Sequence, residues 1–415
     1  MDFNDTPEEA AFRAEARAWL DANAEPLEAG EFAAGPLDER DDSDSIQAAK
    51  DWQKKKADGG WACLTWPKEY GGQGATSIQN VIWNQEEARY KTPVNIYGIG
   101  LGMCGPTIMT HGTDDQRERW LPEMLSGQKV WCQLFSEPAA GSDLAGLRST
   151  AVRDGDDWVI NGQKIWTTGA HFCDWGILVV RSDATVAKHS GLTYFVVDMH
   201  SPGIEIRPIT QINGGKGFNE VFFTDVRIPD NQRISEIGNG WAVAITTLMN
   251  ERASIGGGGG GGGIRDLIEL ARSVEVDGKP AIEQSATREK IATFYTRIRG
   301  LKLTGNRTLS ALSQGKTPGP ESSLGKLVGG RLTQDMAAFA MDLQGVAGAL
   351  NDPGASPQSA EWQERYLSIP GLRIAGGTDE ILRNIISERV LGLPPEARAD
   401  KGIAFKDIPT GPPSN

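Results

Sequence analysis

Between Trp131 and Pro229 the apolar residues of this chain gather in short strand-like runs, while on both sides of that block they recur at helical spacing. A strand pattern confined to one central block, between two helical ones, predicts segregated layers and a multidomain α+β protein. Within the block, residues 176–181, 193–198, 204–208 and 220–227 read as short strands separated by Gly, Pro and Asn, the pattern of an antiparallel sandwich or barrel. Before it, Thr6-Pro7-Glu8-Glu9 is a helix start with a capping box, and Phe12, Ala16, Trp19 and Leu20 fall on one face. Further helices are expected over 46–57, from Ser77 to Tyr90, and from Asp114 through Trp120, Leu121 and Met124. After Pro229, helices over 240–254, 264–274, 286–313 and 321–350 with short breaks predict a four-helix bundle. A last helix opens at Thr378-Asp379-Glu380 and closes near Leu393-Pro394. The expected domains are therefore an all-α domain over 1–130, a middle β domain (barrel or sandwich) over 131–236, the bundle over 237–394, and a flexible tail over 395–415.

With 415 residues the chain can bury two or three cores. Its net charge of −13 argues against a nucleic-acid groove or an anionic membrane surface as partner. Cys63, Cys104, Cys132 and Cys173 form no Cys-x-x-Cys pair, and the four histidines have no ligand spacing, so reduced thiols and no metal site are expected. The acidic N-terminus has no apolar core of a signal peptide, and no apolar run approaches the ~20 residues of a membrane span. A cytoplasmic protein is the expectation.

The stretch from Trp131 to Ala170 carries the chemistry. An apolar run ends in Phe135-Ser136-Glu137-Pro138 and relaxes into the small-residue turn Ala139-Ala140-Gly141-Ser142-Asp143, where backbone amides can face a ligand. Residues 158–161 and 164–168 read as a hairpin across Asn161-Gly162, which puts Trp166, Thr167 and Thr168 on one strand. An indole and two hydroxyls there could flank a flat heterocycle. At Thr378-Asp379-Glu380 a helix N-terminus is a ready anion site.

The ordered motifs SEPAAGSD, NGQKIWTT and AGGTDEILRNI, with WPKEYGGQG upstream, resemble the acyl-CoA dehydrogenase family over nearly the whole chain, from about Asp5 to Pro394. The resemblance implies FAD as cofactor, an acyl-CoA substrate dehydrogenated to its trans-2-enoyl-CoA, and an electron-transfer flavoprotein as partner. It places Gln133, Phe135 and Ser136 at the flavin ring, Trp166, Thr167 and Thr168 on the strand covering it, and Thr378, Asp379 and Glu380 near the FAD pyrophosphate. Ser142 and Arg252 match substrate positions.

The base is where the sequence departs from short- and medium-chain members, which carry a glutamate at the position occupied here by Gly376. Leu248-Met249-Asn250-Glu251-Arg252 instead resembles the isovaleryl-CoA and long-chain group, whose base lies in the first bundle helix. Glu251 is thus the expected base, with Gly376 or Gly377 offering a backbone amide to the thioester carbonyl, and Glu380 the weaker alternative. The Arg-x-x-Phe-Gly motif that reaches a neighbouring subunit's FAD is missing from 274–282, as in a bacterial subclass that includes heteromeric enzymes for steroid or other bulky acyl groups. A homodimer, homotetramer or heterotetramer fits the resemblance; a noncatalytic or FAD-binding subunit of a heteromer and an acyl-CoA oxidase are the competing readings. Eight consecutive glycines, Gly256 to Gly263, begin five residues after Glu251, and could continue its helix as a bare groove for a bulky acyl tail or form a loop.

Overall fold

The computed structural model describes residues 5–27, 43–257, 263–313, 319–398 and 400–409. They form two compact units, one running to Glu251 and taking up the C-terminal segment from Glu396, the other spanning Arg252 to Pro395.

The first unit opens with α1 (Pro7–Asn23), whose Thr6 capping box forms as expected. A two-residue strand β1 (Glu25–Pro26), α2 (Ser43–Asp58), α3 (Ser77–Glu87) and β2 (Tyr90–Lys91) follow. β1 and β2 pair antiparallel, so this region is not purely helical. Its core is aromatic: Trp61 stacks on Trp83 at 4.7 Å, and Trp19 lies against both. A π-helical turn (Gly100–Cys104) leads into α4 (Gly105–His111), and α5 (Asp114–Leu125) completes the helices. A Cβ at position 105 would fall 2.2 Å from the Trp66 ring, so glycine is required for this approach.

The middle strands are β3 (Trp131–Leu134), β4 (Thr150–Asp154), β5 (Asp157–Thr168), β6 (Trp175–Arg181), β7 (Leu192–Asp198), β8 (Ile204–Ile209), β9 (Phe218–Pro229) and β10 (Arg233–Ile234). They form one sheet in the order β10-β7-β6-β4-β5-β9-β8, with β3 also paired to β6. The sheet is open, with β10 and β8 at its edges, rather than a closed barrel. Nor is it purely antiparallel, because β3 and the start of β4 both run parallel to β6. The long connections between these strands permit parallel pairing, which a hairpin could not.

The expected Asn161-Gly162 hairpin does not form. The chain turns at Gly155 (φ +64°), joining β4 to β5, and β5 runs straight through Asn161 and Gly162. There the ladder with β9 is irregular, and a Cβ at position 162 would lie 2.2 Å from Ser149 Oγ. The glycine serves a close approach at a bulge, and Asn161 exchanges two hydrogen bonds with Asp225 on β9.

α6 (Gly240–Gly257) gives its turns through Glu251 to the first unit. The second unit contains α7 (Gly263–Ser273), a short hairpin of β11 (Glu275–Val276) and β12 (Lys279–Pro280), α8 (Ser285–Ser313), α9 (Ser323–Leu343), α10 (Glu361–Leu372) and α11 (Asp379–Arg389). Its core gathers Leu267, Leu270, Phe294, Met336 and Trp362. From Gly240 on, the described residues form six helices, α6 to α11, where four bundle helices and a last one were expected: α9 stops at Leu343 ahead of Gly345 (φ +56°), and the additional helix, α10, follows three left-handed residues, 358–360. α11 ends at Arg389, short of the expected Leu393. Gly256 and Gly257 close α6 and Gly263 opens α7, while the centre of the glycine run, 258–262, lies outside the described residues.

The tail expected to be flexible is in part held down. Phe405 N–H donates to the Val186 carbonyl at 2.8 Å and Lys406 N–H to that of Ala184 at 2.9 Å, and Ala404 bridges to Ala187. Backbone pairing of this kind anchors a terminal segment whatever its composition.

Candidate active site

Where β3 ends, the chain is fastened to β5 by a buried cation. Lys164 is fully buried and donates to the Phe135 carbonyl at 3.0 Å and to Glu137 Oε1 at 2.8 Å. Glu137 also accepts the backbone N–H groups of Arg148 (2.6 Å) and Ser149 (2.9 Å), closing residues 137–149 into a loop. Burial disfavours the Glu137 charge, but the Lys164 ammonium and these donors overcome it and hold the carboxyl below its ordinary pKa. The Ser136 carbonyl accepts from Ile165 N–H at 2.9 Å. The segment containing Gln133, Phe135 and Ser136 is thereby brought beside Trp166, Thr167 and Thr168. Neither Glu137 nor Lys164 stood out in the sequence as an anchor; the available signal was a lysine at an inward position of a strand.

β5 is bulged between Lys164 and Thr167, and Trp166 sits in the bulge with left-handed backbone (φ +61°), 55% exposed and edge-on to Phe218 at 6.0 Å. An exposed indole on a strained backbone is a costly arrangement of the kind found at ligand sites. Thr167 is buried; its carbonyl accepts from Asn219 Nδ2 at 3.0 Å, and His171 lies 3.1 Å from Asn219 Oδ1. Thr167 Oγ1 has no hydrogen-bond partner among the described residues. Thr168 is partly buried at the strand end. Phe135 packs inward on Tyr194, so only its backbone can face a ligand, whereas Ser142 is exposed beside the open Gly141.

Glu251 reaches this junction from α6. Gly238 N–H donates to Thr193 Oγ1, and Gly240 has no room for a Cβ against the Leu192 carbonyl, so the helix starts hard against β7. Two turns in, Thr247 Oγ1 lies 2.9 Å from both Tyr194 Oη and Thr107 Oγ1. Glu251 is one turn further on the same face, and Gln133 Nε2 donates to its Oε2 at 3.4 Å. The side chain of Arg252 lies outside the described residues.

In the second unit, Gly376 (φ +65°) and Gly377 (φ +95°) form the left-handed turn before α11, and Thr378 caps that helix by accepting from Ile381 N–H. Lys326, buried on α9, donates to the Gly377 carbonyl. Asp379 turns inward onto Arg373 (2.5 and 2.8 Å), which also donates to Gln334 on α9. Glu380 stays exposed, 3.5 Å from Arg383. What the start of α11 presents to an anion is therefore its backbone N–H groups and not these carboxylates. Lys326 and Arg373, which fix the turn, were not singled out from the sequence. Among the described residues no group of three or more His, Cys, Asp or Glu could hold a metal ion, and no helix is long and apolar enough to cross a membrane.

Three family models match in succession: acyl-CoA dehydrogenase N-terminal domain over residues 6–128, middle domain over 132–226 and C-terminal domain over 238–391. The chain belongs to the acyl-CoA dehydrogenase family. It is similar to the acyl-CoA dehydrogenase IpdE1 of Mycobacterium tuberculosis, 38% identical over 395 residues that cover 93% of this chain and 98% of that one. The acyl-CoA dehydrogenase FadE34 of the same organism is 38% identical over 339 residues, 81% of this chain and 45% of FadE34. Among solved structures, the Tcur3481-Tcur3483 steroid ACAD superposes with a TM-score of 0.80 at 28% identity, covering 95% of this chain and all of that one. The ChsE4-ChsE5 complex of M. tuberculosis gives 0.77 at 29% identity with the same coverage.

The protein is accordingly an oxidoreductase of the acyl-CoA dehydrogenase family, which is FAD-dependent. Among the described residues, those at the β3–β5 junction fit such a cofactor: a buried hydroxyl without a partner at Thr167, an exposed indole at Trp166, and no atom within 4 Å of where a Cβ on Gly141 would lie.

Proposed function

We propose that this chain binds FAD and dehydrogenates an acyl-CoA thioester to the trans-2-enoyl-CoA, with Glu251 as the base. The observation that carries the reading is the placement of Glu251, held by the Thr247 face of α6 and met by Gln133 from the strand that continues into Ser136. The Glu251 carboxylate takes the α-proton, and Gln133 orients it. Gly376 and Gly377 are assigned from the resemblance to the thioester carbonyl; their left-handed backbones offer N–H groups to the oxygen on which charge develops. Gln133, Ser136, Trp166, Thr167 and Thr168 would hold the flavin, and the resemblance assigns its pyrophosphate to the first-turn amides of α11. The cofactor supplies, when bound, a two-electron acceptor for the hydride leaving the β-carbon. Ser142, exposed on the loop fixed by Glu137, meets the substrate, and Arg252 lies next to the base in sequence. An electron-transfer flavoprotein is the proposed partner.

The test is direct. The purified chain should carry flavin absorbance and reduce an artificial electron acceptor with at least one member of a panel of short, branched and steroid-linked acyl-CoAs. Absence of flavin and of turnover with every thioester would sink the reading. The likeness to structures named as a steroid ACAD and as a ChsE4-ChsE5 complex supports a second one, in which the chain works as one subunit of a heteromer on a bulky acyl group. A chain that copurifies without flavin alone, and gains it with a second subunit, would favour that reading.

A further inference from the structure

Arg181, buried on β6, has no carboxylate hydrogen-bonded to it among the described residues; it donates instead to three carbonyls, those of Ala145 (2.5 Å), Leu147 (3.2 Å) and Lys188 (3.0 Å). Two of these belong to the 137–149 loop that carries Ser142. The face of the Phe405 ring lies 3.4 Å from the guanidinium carbon of Arg181, covering the cation. A second link runs in parallel: Lys188, almost fully buried, donates to both oxygens of Asp143 (2.8 and 3.0 Å) and pairs with Asp400. Asp143 is the neighbour of Ser142. The C-terminal segment thus touches the loop through Arg181 and Lys188, each of which contacts the loop on one side and the segment on the other, and directly where Arg148 of the loop lies 5.8 Å from the Phe405 ring centre.

We propose that residues 400–409 form a strap that positions the 137–149 loop, and with it Ser142, for the CoA thioester. Phe405 and Asp400 are positioning residues, acting through Arg181 and Lys188. The two contacts have separate physical grounds. A guanidinium withdrawn from water gains from an aromatic face, and an ammonium shared by two carboxylates ties their backbones together. Without the strap, Arg181 would face solvent and Lys188 would hold Asp143 alone, so the loop would sample more positions before substrate arrives. Ordering it then costs affinity and leaves the chemistry at Glu251 untouched.

This inference rests on the acyl-CoA reading for its kinetic arm and is independent of it for its structural arm. Phe405→Leu keeps bulk and removes the aromatic face; Phe405→Tyr restores the face; a chain ending at Arg398 removes the strap. Hydrogen–deuterium exchange over residues 138–148 is followed in the FAD-loaded protein without substrate, alongside KM and kcat for the best acyl-CoA of the panel. Phe405→Leu and the shortened chain should exchange faster in this loop, and their KM should rise about tenfold with kcat within about twofold, the pattern of lost uniform binding. Phe405→Tyr should resemble the unaltered protein in both. Unchanged exchange in the loop, or equal effects of Leu and Tyr, overturns the strap. Should the shortened chain not fold, Asp400→Asn gives the same test through Lys188. If no thioester is turned over, the functional reading fails while the exchange result still decides the strap.

Discussion

Gln133 Nε2 stands 3.4 Å from Glu251 Oε2, so the strand that leads into the proposed flavin-binding segment also reaches the proposed base. Glu251→Gln should lower turnover by about 10² to 10⁴ while flavin absorbance and melting temperature stay unchanged, because the amide keeps the shape and removes the base. Gln133→Leu should cost kcat roughly tenfold through the lost hydrogen bond to a charged group. Glu380→Gln, at an exposed helix start, should have no such effect. Near-normal turnover in Glu251→Gln with a dead Glu380→Gln would reverse the assignment.

Trp166 occupies a left-handed backbone that a side chain adopts at a cost. Trp166→Gly should therefore be more stable than Trp166→Ala by about 1 kcal/mol in urea denaturation, since only glycine relieves the strain. Both variants should shift the flavin absorbance or weaken its retention. A spectrum and affinity untouched in both would remove Trp166 from the cofactor site.

Lys164 is buried against Glu137, and deleting one partner leaves the other charge without compensation. Lys164→Met should destabilise the protein by about 3 to 5 kcal/mol. Adding Glu137→Gln to that background should cost less than the sum of the single changes, because the stranded charge is gone. Additive effects in denaturant melts would show that the pair is not coupled.

Asp400 beside Lys188 and Arg398 has its carboxyl pulled down to about 2. A depressed folded-state pKa contributes stability above the unfolded carboxylate range, near 3.9, and loses it as pH falls toward the folded value. Asp400→Asn should thus melt below the unaltered chain at pH 7, and the gap should close between about pH 4 and pH 2. A gap that persists to pH 2 would mean that Asp400 stabilises by something other than its charge.

Much of this was legible in sequence where a local rule decides the outcome. The caps at Thr6 and Thr378 form because a hydroxyl followed by a helical run has one good use. Gln133, Ser136 and Trp166 to Thr168 converge because β3 and β5 are tied at Ser136 and Ile165. What stayed hidden depends on tertiary context. Asn161-Gly162 carries a turn signal, yet the glycine is there for Ser149, a neighbour remote in the chain. β6 and β7 are buried along nearly their whole length, so they lack the alternation that tells a sheet's outer face from its inner one. α10 starts at Glu361 after an Ala360 N-cap that offers no side-chain hydrogen bond, and so leaves no start signal. The strap residues look like any polar terminus until Arg181 and Lys188 are seen to be buried.

The face of α6 that seats on Tyr194 and Thr107 has a consequence for recombination between relatives. The family's C-terminal domain begins by sequence at residue 238, and a chimera spliced there would inherit Glu251, the proposed base, from one parent and the surface that seats its helix from the other. Thr107, Gln133, Tyr194 and Thr247 have to travel with Glu251, which makes the heritable module around the proposed base a set drawn from four stretches of the chain.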